Sequence, residues 1–322
     1  IDLSLWGNRI SAKFDYFVSN TINMLTFSPM YAYLGYDIRM ENGGEMKNRG
    51  WDFSSFIGII DSHSFKWQIQ TFLSSVNNQV TGIKGEQLIT DLAGAQVVNR
   101  PGAPANSFYG YVYEGIYHTR DEASGSGLVN AKGMAYQVGD AMFADLSGPE
   151  GSPDGIINDY DKTIIGSSIP EYFGGLINSF SYRRWTLSGY VQFVYGNEIF
   201  NFVRYRNEQM TGLANQSTTT LNRWQHQGQD TDIPRALWGD PIGNSVFSTR
   251  WIEDGSYIRI KNITLSYRIP DQFLAFKYAE FYLSANNIFV ISDYLGYDPE
   301  FAYTFSNFHQ GIDYGLTHNR DN

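Results

Sequence analysis

Between Trp251 and Phe301 the chain twice alternates apolar and polar residues with a period of two. Ile263, Leu265 and Tyr267 interleave with Asn262, Thr264 and Ser266, and Ala279, Phe281, Leu283 and Ala285 interleave with Glu280, Tyr282, Ser284 and Asn286. Successive side chains of a strand point to opposite faces, so the pattern belongs to a sheet with one dry and one wet face. Ile269-Pro270-Asp271 separates the two runs, and proline has no N–H to give to a ladder. The stretch is expected to be an antiparallel hairpin with strands over 251–268 and 277–290. Its alternation changes phase between Lys261 and Asn262, which predicts a bulge there or an exit from the dry band.

Composition narrows what such a sheet can be. Aromatic residues make up 16% of the 322-residue chain, only 17% is charged, and glycines number 32. Long strands with aromatic girdles and tight turns have this composition, and a carbohydrate-binding β-sandwich shares much of it. No apolar run reaches about eighteen residues, so a spanning helix is excluded. A transmembrane β-barrel is not excluded, because lipid-facing and lumen-facing residues alternate and hydropathy averages out; the mean here is −0.32. The absence of cysteine rules out a disulfide framework and thiolate metal sites. A net charge of −10 argues against a nucleic-acid partner.

Period two recurs upstream. Ile10, Ala12, Phe14, Tyr16 and Val18 alternate with Ser11, Lys13, Asp15, Phe17 and Ser19, with only Phe17 out of place and Lys13 and Asp15 on the wet face. Phe65, Trp67, Ile69, Thr71 and Leu73 form a second dry set, and Trp185, Leu187, Gly189, Val191, Phe193 and Tyr195 a third. The expected strands are thus 10–19, 51–60, 65–76, 172–182 (whose alternation is poor), 185–196, 251–268 and 277–290. The tyrosine-rich 108–118 reads as part of a loop. Connections at 61–64, 183–184 and 269–276 are short, whereas 20–50, 77–171, 197–250 and 291–322 are long. Outer-membrane barrels alternate short periplasmic turns with long external loops in this way, and a sandwich has no reason to. IDLSLWGNR passes from a turn into a strand at once, so the chain is expected to be the C-terminal part of a longer protein.

Four motifs in order, an acidic residue, IRIKNITLSYRIP, the asparagine pair of SANNIF and GYDPEF, resemble the C-terminal barrel portion of the SusC/RagA family of TonB-dependent outer-membrane transporters, and the resemblance extends upstream to DLSLWGNR and the Asn42–Gly50 segment NGGEMKNRG. The resemblance implies an all-β, antiparallel transmembrane barrel of about twenty-two strands. The chain would supply seven of them, without the N-terminal plug or the closing strand. It further implies a multi-pass protein of a Bacteroidetes outer membrane. Such a protein takes up oligosaccharides or peptides under a SusD-like lipoprotein lid, with TonB acting through the plug. TDIPRALWGDP resembles a family loop segment with a Pro-Arg pair, here Pro234-Arg235.

One constellation suggests an ion. Glu150, Ser152, Asp154, Asn158 and Asp161, with the Ile156 carbonyl, place oxygens at positions 1, 3, 5, 9, 12 and 7 of a twelve-residue calcium-type loop, with Gly155 at 6 and apolar Ile157 at 8. Glu and Ser at positions 1 and 3 depart from the pattern. The alternative is a polar Gly/Pro/Asp turn. The five histidines, His63, His118, His226, His309 and His318, have no metal-site spacing. The acidic pairs Asp159/Asp161 and Asp298/Glu300 suit turn capping better than glycoside hydrolysis, so no enzyme activity is expected. Trp224, Trp238, Tyr111 and Tyr113 sit in long loops beside amides and acids, a combination that suits sugar or peptide capture and equally suits packing within the loop. Two rival readings remain, a barrel that serves as a structural or adhesive protein and a soluble lectin-like β-sandwich.

Overall fold

The computed structural model describes residues 1–29, 38–270, 279–301 and 309–315. The chain divides into two compact units. One comprises Ile1–Gly82, Ile169–Asn197 and Asp254–Tyr294, and the other Ile83–Ser168, Glu198–Glu253 and Leu295–Asn322.

The first unit is a single antiparallel sheet of eight strands: β1 (Asp2–Leu5), β2 (Ile10–Pro29), β3 (Ile38–Asp61), β4 (Phe65–Ile83), β5 (Tyr172–Tyr182), β6 (Trp185–Tyr195), β7 (Tyr257–Arg268) and β8 (Glu280–Ile291), paired in that order. Register fixes the faces. Leu73, Gly174, Phe193, Ile258 and Ile291 stand opposite one another in one row, and Leu187, Leu265 and Leu283 in another. These are the dry sets read from period two. Near the short turns the same face carries Phe65, Tyr182, Trp185, Tyr267 and Phe281 in register, and Trp185 packs on Tyr267 with centroids 4.6 Å apart. Toward the other strand ends it carries Tyr172 opposite Tyr195 and Tyr16 opposite Trp51. Two aromatic girdles thus bound an aliphatic band. From Trp185 to Tyr195 the strand runs about 33 Å, which at the usual barrel tilt is about 25 Å of height.

The polar face explains two irregularities of the sequence. Phe17 is apolar on the wet side because its ring covers Gly50, where a Cβ would lie 2.5 Å from the ring. The weak alternation of β5 comes from Gly174-Gly175 and Asn178. Gly175 leaves room on the polar face for Phe72 and Tyr190, and Asn178, on the dry face, accepts a hydrogen bond from Trp67 Nε1 at 2.8 Å. Lys13 and Asp15 pair at 3.1 Å on the polar side.

The phase change at Lys261 is a β-bulge: Tyr190 pairs with Asn262 and Val191 with Ile260, leaving Lys261 as the extra residue. Other boundaries differ from expectation. The 251–268 strand is not continuous, because Trp251 closes a 3₁₀ turn and is fully buried, and β7 starts only at Tyr257. β1 pairs with β2 where a turn was expected. β2, β3 and β4 all extend past 19, before 51 and past 76, so most of 20–50 is strand rather than loop. Long strands rising past the dry band lose their alternation, and the sequence pattern fades with it. Positions 277 and 278 lie outside the described residues, and β8 begins at Glu280.

The second unit is built from the two long connections, β4 to β5 and β6 to β7, together with Leu295–Asn322 after β8. A four-stranded antiparallel sheet orders Thr163–Gly166, Ser107–Gly110, Ala95–Asn99 and Leu88–Leu92. The expected loop 108–118 contributes strands Ser107–Gly110 and Tyr113–Ile116 to this unit. Helices α1 (Arg120–Ser126) and α2 (Phe202–Glu208) complete it. One core gathers Val97, Phe108, Phe200, Phe247, Trp251 and Ile312, and a second gathers Tyr117, Tyr136, Ala141, Phe143 and Ile242.

Candidate functional site

The second unit holds a cleft of about 780 Å³ whose floor is a charge network. Asn201 caps α2 by accepting the Arg204 N–H at 2.9 Å, which sets Arg204 one turn before Glu208. Arg204 then donates to Glu208 at 3.3 Å, to Glu253 at 2.8 Å and to the Arg250 carbonyl at 2.9 Å. Glu253 also accepts from Asn201 and from the Leu295 N–H. Arg250 lies over the Trp251 ring, 4.6 Å from its centroid, and 5.7 Å from that of Tyr113. Its Nη2 is buried without a hydrogen-bond acceptor among the described residues, the Glu208 carboxylate being 3.9 Å away. Burial lowers the Arg250 pKa from its ordinary value, with the Tyr113 hydroxyl opposing. Burial likewise raises the Tyr113 hydroxyl to about 12, against the pull of Arg250, so it stays a neutral donor; it donates to the Asp232 carbonyl.

Chemically the cleft offers donors, carboxylate acceptors and aromatic faces. Asn207, Thr219, Asp232 and Tyr297 also line it, Tyr297 with 80% of its surface exposed. A buried guanidinium with an open donor site favours an acceptor oxygen on whatever enters.

A second charged centre joins the two long connections inside this unit. Asp140, fully buried, receives Arg235 Nε at 2.7 Å and Nη2 at 3.0 Å, Asn244 Nδ2 at 3.1 Å and the Gln137 N–H at 2.8 Å. Arg235 also donates its backbone N–H to the Gly139 carbonyl at 2.8 Å. The Pro234-Arg235 pair therefore acts as a latch between segments about a hundred residues apart, a role its local sequence does not reveal.

Comparison with known proteins bears on what this architecture is. TonB-dependent receptor P3 of Formosa agariphila is 30% identical over 98% of the chain, and SusC of Bacteroides thetaiotaomicron is 24% identical over 93%. The RagAB peptide transporter superposes on 97% of the chain with a TM-score of 0.76 at 24% identity. Over nearly its whole length the chain is similar to TonB-dependent receptors of the SusC/RagA kind. It spans 32% and 29% of the length of those two curated relatives and 32% of the solved chain. No family model matches it. Its eight-stranded sheet is a sector of the SusC/RagA antiparallel barrel, which removes the β-sandwich reading. The relatives named are receptors and a transporter, in keeping with the expectation that the chain is no enzyme.

Among the aromatics singled out from the sequence, only Tyr113 lines the cleft. Trp238 is exposed over 72% of its surface. Tyr111 packs against Phe143 and under Lys162, whose Nζ is 5.4 Å from the ring centroid. Trp224 covers Gly139, where a Cβ would fall 2.4 Å from the indole. Loop packing thus accounts for Tyr111 and Trp224. Arg204, Arg250 and Glu253 were not singled out, because nothing local marks residues that meet across about fifty positions.

In the 150–161 segment Asp154 and Asp161 turn to main-chain amides. Asp161, fully buried, accepts from the N–H groups of Leu146, Ser147 and Asn158 at 2.8, 3.1 and 2.8 Å. Asp154 accepts from Ile156 N–H, and Asn158 from Tyr160 N–H. Asp145 accepts from Asp154 and Gly155, and Asp159 pairs with Lys162 at 2.7 Å. Glu150 and Ser152 are exposed. Among the described residues no three acidic, histidine or cysteine side chains converge on one point. A calcium ion ligated by Glu150, Ser152, Asp154, Ile156, Asn158 and Asp161 would have to displace three amides from Asp161. Addition of EGTA is therefore expected to leave proteolysis of this segment unchanged in the full-length protein, and a chelator-sensitive cut within 145–162 would establish the ion.

Proposed function

We propose that this chain forms eight wall strands and the bulk of two external loops of a SusC-like outer-membrane importer. In this reading oligosaccharide or peptide cargo is held beneath a SusD-like surface lipoprotein, and TonB supplies energy through a plug carried elsewhere in the protein. The observation that carries the reading is the aliphatic band between two aromatic girdles on one sheet face, with short turns at one set of strand ends and both large insertions at the other. A face of that height and composition suits lipid, and insertions confined to one end suit a surface-exposed cap. β1 and β8 each have one neighbour among the described residues, which suits a sector whose edges are completed by further wall strands. The RagAB protein is a peptide transporter, and the cleft's mixture of donors, acceptors and aromatics suits peptide or sugar alike.

The test is affinity purification of the tagged full-length protein from its own outer membrane in mild detergent. Stoichiometric recovery of a surface lipoprotein of the SusD kind is expected. Repeated isolation of the barrel alone would favour the structural or adhesive reading.

A further inference from the structure

The short-turn ends of the wall strands carry arginines that the wall itself does not use. Arg183 and Arg184 form the two-residue turn between β5 and β6, both are exposed, and neither enters an ion pair among the described residues. The other charges at this level are matched: Lys66 pairs with Asp61 at 3.1 Å, and Arg268 stands opposite Glu280. The turn lies inside the sheet, with β4 on one side and β7 on the other. Its backbone is tied to both, since the Arg183 N–H donates to the Ser64 carbonyl at 2.8 Å and the Arg268 N–H to that of Arg184 at 2.9 Å. Geometry does not call for an arginine here. Of the two turn residues only Arg183 has a positive φ, +55°, and it holds the first central position, where such a turn favours glycine.

The direction of the Arg183 side chain decides what it can meet. Its guanidinium lies over the Tyr182 ring, 5.4 Å from the centroid. Tyr182 stands opposite Trp185 on the dry face, and each is about half exposed. The cation is thus folded back onto the aromatic girdle. The Tyr182 hydroxyl and the Trp185 indole N–H add two donors that no described residue engages. We propose that the Tyr182–Trp185 turn binds the phosphate of one anionic membrane phospholipid, which rests on the outer-membrane reading above. A guanidinium fork matches phosphate oxygens in pairs, and interfacial aromatics hold it at headgroup level. The acyl chains run down the same face past Phe180 and Leu187, the next pair in register. Arg184 supplies a second positive charge, so a headgroup of net negative charge is preferred to a zwitterionic one. An acidic peptide beyond the strand ends is the poorer fit, because Arg183 turns toward the dry face instead.

Native mass spectrometry of delipidated full-length protein, titrated with phosphatidylglycerol or phosphatidylcholine of the same acyl chains, reads the affinity for the first lipid bound. A basic residue beside anionic lipid contributes about a fivefold preference, so wild-type protein is expected to bind phosphatidylglycerol about twentyfold tighter. Arg183→Gly should lose about fivefold of that preference, and Arg183→Gly/Arg184→Ser nearly all of it. Glycine relaxes the positive φ, so Arg183→Gly should melt no lower than the parent in phosphatidylcholine vesicles. If it does melt lower, Arg183→Asn, a change the same φ tolerates, takes its place. Lys66→Gln removes one positive charge at the same level on the polar face and should leave the preference unchanged. A loss in Lys66→Gln equal to that in Arg183→Gly would show that overall charge selects the lipid, and the site would fall. Equal affinities in wild type, or a preference that survives the double variant, would overturn it too, and all three results leave the membrane reading standing. Protein that binds neither lipid and stays monomeric without detergent would defeat the membrane reading itself.

Discussion

Arg235→Ala is expected to open the loop unit by about 3–5 kcal/mol, the cost of leaving a buried carboxylate without its cation. Asp140 has no exposed surface, and the guanidinium reaches it through two hydrogen bonds, at 2.7 and 3.0 Å. The Gln137 N–H and the Asn244 amide remain on Asp140 in the variant, but neither carries charge. Asp140→Ala should cost less, because Arg235, a quarter exposed, can turn to water, although Asn244 and Gln137 lose their acceptor. Hydrogen exchange in the full-length protein reads this directly. Amides over Gly139–Phe143 and near Arg235 should exchange about a hundredfold to several thousandfold faster, with the wall strands unaffected. In the double variant Asp140→Leu/Arg235→Leu the loss should fall well short of the sum of the single changes. Single variants that exchange like the parent would show that the latch contributes little.

The wall was readable because period two reports faces directly. The sets Ile10 to Val18, Phe65 to Leu73 and Trp185 to Tyr195 each name one side of the sheet, and pairing simply aligns them. Even the fault at Lys261 was visible, since one extra residue inverts all that follows. Strand ends were less visible. Beyond the dry band Ile22, Met24 and Leu25 follow no period of two, so a strand that reaches Pro29, and a partner that begins at Ile38, are not announced by alternation.

The loop unit was illegible for a different reason. Its strands are two to five residues long, and two of them, Ala95–Asn99 and Ser107–Gly110, are largely buried, so burial there leaves no period. Its cleft depends on partners distant in sequence: Arg204 with Glu253, Arg250 beside Tyr113. The 150–161 segment shows an intrinsic ambiguity. Carboxylates and an asparagine around a tight glycine turn can face a cation, or can face a ring of N–H groups, and both satisfy the same charge. Asp161, with three amides, takes the second course in the fold.

The strongest test of the wall itself is one charge placed on each of its faces. Val191 stands opposite Leu176 and Ile260 on the dry face, near the middle of β6 and between the two girdles. Val191→Arg is expected to cost about 2–4 kcal/mol in full-length protein refolded into bilayers, the range for a cation near the midplane of a barrel's lipid face. Ser188 is the proper control. It faces the other side, opposite Ser179 and Thr264, where an arginine can reach water. Gln192 would be a poorer choice, because Arg259 stands directly across from it and a second cation there would add repulsion of its own. Ser188→Arg should cost less than about 1 kcal/mol, and urea unfolding of both variants in vesicles separates them. Moving the same pair into detergent micelles should narrow the gap, since a micelle deforms around a charge more readily than a bilayer. Equal costs in bilayers, or the reverse order, would mean that the aliphatic band does not face lipid, and the importer reading would fall with it.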